Sequence, residues 1–170
     1  MIAVYPGSFD PVTKGHVDII RRVASLSEKL VIGLLDNPLK KSMFSVERRL
    51  WHLSLVTKGI ENVEVKTSSG LLMDFARENG AGVIIRGLRS NVIPEYEFQT
   101  ALGINEVSGI ETLFMFSRSE YLFISSTMVK EIISKGGNVE SIIPPEIVSD
   151  ICRSNVPNGR NTNGIDYGLS

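Results

Sequence analysis

Short apolar runs and longer amphipathic stretches follow one another along most of this chain. The apolar runs predict five β-strands, at residues 2–5, 30–35, 63–65, 83–85 and 112–116. The stretches between them predict helices at residues 15–26, from 45 onward, and at 71–78, 95–107 and 125–134, with a last helix after residue 145. A strand followed by a helix, five times over, predicts a doubly wound α/β fold: a five-stranded parallel sheet with helices on both faces.

Two predicted helices carry further local signals. Ser45 is a suitable N-cap for the second helix, and Glu47 lies in its first turn. The predicted helix at residues 95–107 contains four apolar residues: Phe98, Ala101, Leu102 and Ile104.

Composition limits the class of protein. The chain of 170 residues is 42% hydrophobic and has a net charge of −1, which predicts a globular domain with no general attraction to nucleic acid or membrane surfaces. We expect one domain at residues 1–153 and, because apolar residues then become rare, a flexible tail at residues 154–170. A single cysteine, Cys152, gives no internal disulfide and no zinc cluster. No signal peptide or membrane-length apolar run is recognisable, so we expect a cytoplasmic protein.

The unusual residues of this chain follow the predicted strands. Parallel sheets bind ligands beyond the carboxyl ends of their strands, where the strand order switches. The segments at those ends are rich in Gly, Ser, Lys and Arg: PGSFDPVTKGH, DNPLKKSMF, SSGLLM, RGLRSNVIPEYE and SRSEYLFISSTMVK. The loops at the opposite ends read as plain turns. This asymmetry predicts one shared site at the carboxyl edge of the sheet.

The segment after the first strand has the chemistry of a phosphate site. Gly7 allows the backbone to approach a ligand closely, and Ser8 offers a hydroxyl donor. The next helix begins near Thr13, and a helix N-terminus favours anions. A turn with a Thr13 cap explains neither Ser8 nor His16 at the helix start. Neither a Walker-type loop nor a G-x-G-x-x-G dinucleotide fingerprint is present, which argues against both of those site types.

Five segments resemble, in the same order, those of bacterial phosphopantetheine adenylyltransferases, members of the nucleotidyltransferase superfamily. The resemblance covers roughly residues 1–150 and is carried by YPGSFDPVTKGH at 5–16, the Pro-x-Lys-Lys-x-Met-Phe run at 38–44, RGLR at 86–89, Tyr96-Glu97, and FISST at 123–127. It implies a Rossmann-like nucleotidyltransferase fold. It also implies transfer of AMP from ATP to 4'-phosphopantetheine, giving dephospho-coenzyme A and pyrophosphate.

The resemblance implies a role for individual residues. His16 would stabilise the transition state of a direct attack on the α-phosphate. Lys40 and Arg86 would bind the acceptor phosphate, Ser8 would contact both substrates, and Leu72 would contact the pantetheine arm. The implied ATP contacts are Ser8, Phe9, His16, Gly87, Leu88, Arg89, Glu97, Tyr121, Leu122, Phe123, Ile124, Ser125, Ser126 and Thr127.

The resemblance also implies Mg²⁺ held mainly by the ATP phosphates, a homohexamer, and feedback by coenzyme A. No cluster of Asp and Glu in the sequence suggests protein ligands for the metal. Residues 91–94 depart from the usual family linker, which leaves the geometry of that loop open. His52 lies inside a predicted helix, where a structural role is the better interpretation.

Two alternatives remain open at this point. Another nucleotidyltransferase, such as a nicotinate mononucleotide adenylyltransferase, would share the features at 13–16 and 125–127, although RGLR, Tyr96-Glu97 and the 38–44 run speak against it. A catalytically silent nucleotide sensor could use the same scaffold, because a fold does not fix a function. Such a sensor would have no need of His16, Lys40 and Arg86 together.

Overall fold

A parallel sheet of five strands forms the centre of the molecule. The computed structural model describes residues 1–35, 41–89 and 93–154. Its strands are β1 (Ile2–Gly7), β2 (Lys29–Leu35), β3 (Val63–Ser68), β4 (Val83–Leu88) and β5 (Glu111–Phe116). They are all parallel and lie in the order β3-β2-β1-β4-β5, which confirms the predicted fold class. The predicted tail lies outside the described residues except for Ser154, and so does Lys40.

Six helices pack around this sheet. They are α1 (Lys14–Leu26), α2 (Val46–Thr57), α3 (Leu72–Glu78), α4 (Glu95–Ser108), α5 (Ser126–Ser134) and α6 (Pro145–Ser154). Ser45 is the N-cap of α2, because its side chain accepts a hydrogen bond from the Arg48 N–H, as predicted. Among the described residues no helix is both long enough and apolar enough to cross a bilayer.

Side chains from alternate positions of each strand supply the core on the two faces of the sheet. In β2, Leu30, Ile32 and Leu34 belong to the larger buried cluster, whereas Val31 belongs to the smaller one. The larger cluster includes side chains of α1, α2, α5 and α6, and the smaller one includes Phe75 of α3 and Ile104 of α4. Both faces of β2 are therefore buried, as its continuous apolar run predicts.

The strand order places a switch point beside β1. The chain passes from β1 outward to β2 and β3, then crosses back to β4 on the other side of β1. β1 also runs further than its apolar residues indicate. Pro6 and Gly7, which read as a turn in the sequence, pair with Gly33 and Leu34 of β2. The segment after Gly7 is thus held at the crevice where ligands of this fold class bind.

Only part of the apolar set of α4 is buried within the described chain. Ile104 is buried, but Phe98 and Leu102 are 44% and 51% exposed. The helix contacts β5, an edge strand, so only one stripe of α4 has a partner within the described chain. The helical period identified the apolar residues correctly, but it could not show how much of the helix the sheet would cover.

His52 has a structural role, as the sequence indicated. It is fully buried in α2, and its Nε2 donates to Asp150 of α6 at 2.7 Å. Arg48 Nε also donates to the Asp150 carboxylate, at 2.7 Å. Burial opposes ionisation of the Asp150 carboxyl, but these two donors outweigh it and hold its pKa below the ordinary value. Asp150 therefore fastens α6 onto α2.

Gly33 gives a test of the packing between β2 and α3. A Cβ at position 33 would lie 2.7 Å from the Phe75 ring, a side chain that is itself buried. We expect Gly33→Ala to lower the free energy of unfolding by roughly 1–3 kcal/mol, because the crowded ring must move. Urea unfolding measures this. Gly82→Ala is the matched control, since nothing lies within 4 Å of its added Cβ, and an equal loss in both variants would contradict the packing argument.

Candidate active site at the carboxyl ends of β1 and β4

The turn after β1 is held in an unusual conformation. Phe9 is 1% exposed and has a φ of 44°, a region that costs energy for a residue with a side chain. Its ring packs edge-on against Tyr5 and His16, with centroid distances of 5.5 and 5.1 Å. Because the Phe9 side chain is committed to the core, any ligand contact by this residue must involve its backbone.

His16 lies in the first turn of α1, and a hydrogen bond to Nδ1 holds one side of its ring. The Thr13 backbone N–H donates to His16 Nδ1 at 3.0 Å, and the Thr13 hydroxyl accepts from the His16 N–H at 3.4 Å. These two bonds form a reciprocal capping box. Since Nδ1 accepts a hydrogen bond from a backbone amide, the proton of the neutral ring is on Nε2. That Nε2–H is available as a donor to a ligand.

The surroundings of His16 keep the ring uncharged. Burial lowers the pKa of His16 to about 4, and the nearby Arg89 guanidinium lowers it in the same direction. His16 nevertheless keeps part of its surface exposed. At neutral pH the site therefore offers a neutral Nε2–H, and the fixed positive charge beside it comes from Arg89.

A small cavity of about 30 Å³ lies beside His16. It brings together four residues that the sequence predicted as ATP contacts, namely His16, Gly87, Arg89 and Ile124. Arg89 Nη1 donates to the Ile124 carbonyl at 3.2 Å, which joins the end of β4 to the segment before α5. A Cβ added at Gly87 would lie 2.5 Å from the Ile19 Cδ1 atom and 3.1 Å from the Tyr5 hydroxyl, so a side chain there would have to displace them. We call this space the histidine cavity.

The start of α5 is joined to the turn after β1. Ser125 caps the helix by accepting from the Met128 N–H at 3.0 Å, and the Ser126 hydroxyl donates to the Pro11 carbonyl at 2.8 Å. Both side-chain oxygens thus have structural partners, although we expected them to bind nucleotide. Other predicted contacts of this segment are exposed, namely Leu122, Phe123 and Thr127. Tyr121 lies against the start of α1, since its Cβ would be 3.5 Å from a Cβ at Gly15.

A second cavity, of about 230 Å³, also lies at the carboxyl ends of β1 and β4. It is lined by Pro6, Gly7, Ser8, Leu35, Ser42, Arg49 and Arg86. Ser8 was predicted to contact both substrates and Arg86 to bind the acceptor phosphate, and the structure brings them to this one space. We call it the arginine cavity. Arg86 and Gly87 are consecutive residues of β4 and line different cavities, so both spaces lie at the carboxyl end of that strand.

Arg49 is a member of this site that the sequence interpretation missed. It is only 2% exposed although it carries a guanidinium group. A signal was present, because Arg49 precedes Leu53 and Val56 by four and seven residues and therefore lies on the apolar face of α2. A charged residue at such a position must be compensated by partners.

Leu72, Leu88 and Glu97 line neither of these cavities, as is also true of Phe9 and of residues 121–123 and 125–127. Leu72 packs against the smaller core cluster, and Glu97 accepts a hydrogen bond from the Tyr96 hydroxyl at 3.0 Å. Leu88 is buried, and its carbonyl accepts from the Ser117 N–H. The ligand roles of these residues remain predictions. Lys40 and residues 90–92 lie outside the described residues.

The state of His16 can be measured directly by NMR. We expect the His16 ring to be neutral at pH 6, with the proton on Nε2, and to titrate at about pH 4. Because the pKa is lowered in the folded chain, the unfolded chain takes up this proton first as the pH falls below the ordinary value of 6.5. The stability that the neutral ring provides is therefore complete above pH 6.5 and is lost as the pH falls towards 4. A proton on Nδ1, or titration near 6.5, would contradict the assignment.

Comparison with known proteins places these features in a family. The cytidylyltransferase-like family model matches residues 4–132. The phosphopantetheine adenylyltransferase of Clostridium tetani is 48% identical over 153 residues, 89% of this chain and 96% of that protein. That of Clostridium botulinum strain Eklund 17B is 47% identical over the same shares of the two chains.

Two solved structures share the fold. One, assigned as a nicotinate-nucleotide adenylyltransferase of Vibrio parahaemolyticus, has a TM-score of 0.64 at 16% identity and covers 90% of this chain and 91% of its own. The other, the lipopolysaccharide core biosynthesis protein of Thermoplasma volcanium GSS1, has a TM-score of 0.51 at 19% identity and covers 69% and 95%. Identities this low bear on the fold alone. Identity near one half with the clostridial enzymes goes further and confirms the resemblance in the sequence motifs: this chain belongs to the phosphopantetheine adenylyltransferase family.

Proposed function

We propose that this protein transfers the adenylyl group of ATP to 4'-phosphopantetheine and releases pyrophosphate. The observation that carries the proposal is the pair of cavities at the carboxyl ends of β1 and β4, one lined by His16 and Arg89, the other by Ser8 and Arg86. Two spaces with cationic or neutral donors at the same end of the sheet suit two phosphate-bearing substrates. Membership of the family named for this activity supports the same conclusion.

The transfer is a direct displacement. An oxygen of the acceptor phosphate attacks the α-phosphorus of ATP, the bond from that phosphorus to the oxygen bridging to the β-phosphate breaks, and pyrophosphate leaves. No side chain needs to form a covalent bond, so catalysis consists of positioning and charge stabilisation. The His16 Nε2–H donates to an α-phosphate oxygen as negative charge grows there, and Arg89 adds a fixed positive charge.

We assign the histidine cavity to ATP and the arginine cavity to the acceptor. Arg86 then binds the acceptor phosphate, and Ser8 lies where both substrates can reach its hydroxyl. The sequence prediction adds Lys40 on the acceptor side. Coenzyme A carries the same pantetheine arm as the product, and we include it as a feedback ligand that competes for this site.

We propose that Mg²⁺ binds together with ATP. Within residues 1–35, 41–89 and 93–154, no group of three His, Cys, Asp or Glu side chains could hold a metal ion. The donor set that fits Mg²⁺ is therefore the phosphate oxygens of ATP, which Mg²⁺ binds readily. When bound, the ion would offset the charge of the departing pyrophosphate.

We also propose that the protein works as a homohexamer in the cytoplasm. The exposed apolar side chains Phe98 and Leu102 on α4, and Leu113 and Phe116 on the edge strand β5, support burial of this region against another copy. Exposed edge strands and apolar patches are commonly covered in assemblies. Light scattering gives the mass in solution, and the mass of a single chain would contradict the assembly.

The function and the role of His16 can be tested in one assay. With ATP, Mg²⁺ and 4'-phosphopantetheine we expect equal amounts of pyrophosphate and dephospho-coenzyme A, and none when nicotinate mononucleotide replaces the acceptor. His16→Ala should lower kcat by roughly 100- to 1,000-fold, because its donor acts mainly when charge develops. Its ATP affinity should change only a few-fold.

Each failure of this assay has its own meaning. Absence of pyrophosphate with either acceptor, at normal ATP binding, would indicate a nucleotide sensor. Release with nicotinate mononucleotide alone would indicate the other transferase. A near-normal kcat for His16→Ala would refute the transition-state role while leaving the reaction itself intact.

The assignment of Arg86 to the acceptor and of Arg89 to ATP gives a further prediction. Arg86→Ala should weaken binding of 4'-phosphopantetheine about tenfold or more and leave ATP binding nearly unchanged, because a charged hydrogen bond to phosphate is lost. Arg89→Ala is the matched variant, since it removes the same group at the other end of RGLR, and it should weaken ATP instead. Calorimetry measures both ligands. Two variants that weaken the same ligand would show that the cavities are assigned wrongly.

A further inference from the structure

Two buried charges of opposite sign join the turn after β1 to the segment before α2. Asp10 is 3% exposed and Arg49 is 2% exposed. The Asp10 carboxylate accepts from the Met43 N–H at 2.9 Å and from the Phe44 N–H at 3.0 Å. In the opposite direction, Arg49 donates to the Ser8 carbonyl at 3.0 Å and to the Phe44 carbonyl at 3.1 Å. We call Asp10 and Arg49, with these four bonds, the loop clasp.

The loop clasp is also connected to α5. Lys130 Nζ lies 3.0 Å from an Asp10 carboxylate oxygen. The Ser126 hydroxyl binds the carbonyl of Pro11, the residue after Asp10. The turn that follows β1 is therefore held from α2 on one side and from α5 on the other.

Folding alone does not require charges at these positions. Buried ions are costly to desolvate, and well-packed apolar groups often serve stability equally well. A carboxylate and a guanidinium instead hold the backbone in a defined position, because each binds two backbone groups at once. The fixed groups belong to Ser8 on one side of the clasp and to Met43 and Phe44 on the other.

Phe9 lies between the two residues that are held. Its positive φ is unfavourable and persists only if the surrounding structure enforces it. Arg49 holds the carbonyl of Ser8 before it, and Asp10 after it is anchored by its carboxylate. The loop clasp thus accounts for how this turn keeps a conformation that the chain would otherwise avoid.

The bonds of the loop clasp set the width of the arginine cavity. Ser8 lines one wall of that cavity, and Ser42, which directly precedes Met43, lines another. Since Asp10 holds Met43 and Arg49 holds Ser8, the distance between these walls depends on the clasp. We propose that Asp10 and Arg49 are positioning residues that fix the acceptor cavity for the transfer; the inference rests on the proposed function.

Arg49→Lys tests this inference with the charge retained. A lysine ammonium lacks the planar fork that reaches the Ser8 and Phe44 carbonyls together. We expect the KM for 4'-phosphopantetheine to rise on the order of 10- to 100-fold, because small misplacement of reacting groups is costly. The Kd for ATP should change less than the acceptor KM, since Arg49 lines the arginine cavity and not the histidine cavity. Asp10→Asn should shift the same parameter in the same direction.

A matched control separates positioning from general loss of stability. Asn62 also bridges two carbonyls, those of Ala24 and Ser27, but it does so at the opposite edge of the sheet. Asn62→Ala should lower the melting temperature and leave the KM for the acceptor unchanged. The melting temperatures of all three variants show whether a change in the acceptor KM simply follows a loss of stability.

The outcomes distinguish this inference from the proposed function. If the unmodified protein makes no dephospho-coenzyme A, the proposed function fails first. If it is active but Arg49→Lys keeps its acceptor KM, weakens ATP equally, or does not fold, the positioning role is refuted. The role is refuted as well if Asn62→Ala shifts the acceptor KM as strongly as Arg49→Lys does.

Discussion

The hydrogen bond from the Thr13 backbone N–H to His16 Nδ1 organises much of this site. It completes the cap of α1, it determines which ring nitrogen carries the proton, and it holds the ring against Phe9 and Tyr5. A histidine that caps its own helix cannot rotate freely, so its free nitrogen has a fixed direction. The remaining groups of the histidine cavity are arranged around a donor that is already oriented before any ligand binds.

The sequence was sufficient for the layers of the fold and for much of the site. Strands that are buried on both faces read as continuous apolar runs, and β2 is the clearest case. Ser8, His16 and Arg86 were recognisable because glycine, hydroxyl and basic residues follow strands where turns alone would not need them. Their assignment to particular substrates came from the family motifs and not from the pattern itself.

What the sequence could not supply were partners distant along the chain. Asp10 binds backbone groups of residues 43 and 44, and Arg49 reaches back to Ser8. Nothing local marks such contacts, because they arise only when the sheet brings β1 and β2 together. The same reason explains why the bond from the Ser126 hydroxyl to the Pro11 carbonyl was not predicted. The exposed side of α4 depends in the same way on what lies beyond its edge of the sheet.

The contact between α6 and α2 affects the stability of the folded chain. Asp150 is the acceptor for His52 and Arg48, and it lies close to the end of the described chain. A premature stop or a proteolytic cut ahead of Asp150 would leave the buried His52 without this carboxylate and open the larger core cluster where Ile147 and Ile151 pack. Every residue of the two cavities would still be present in such a fragment. Such a fragment would keep the groups that line the cavities and would lose stability, so the last helix affects how long the folded chain persists and not which residues line its cavities.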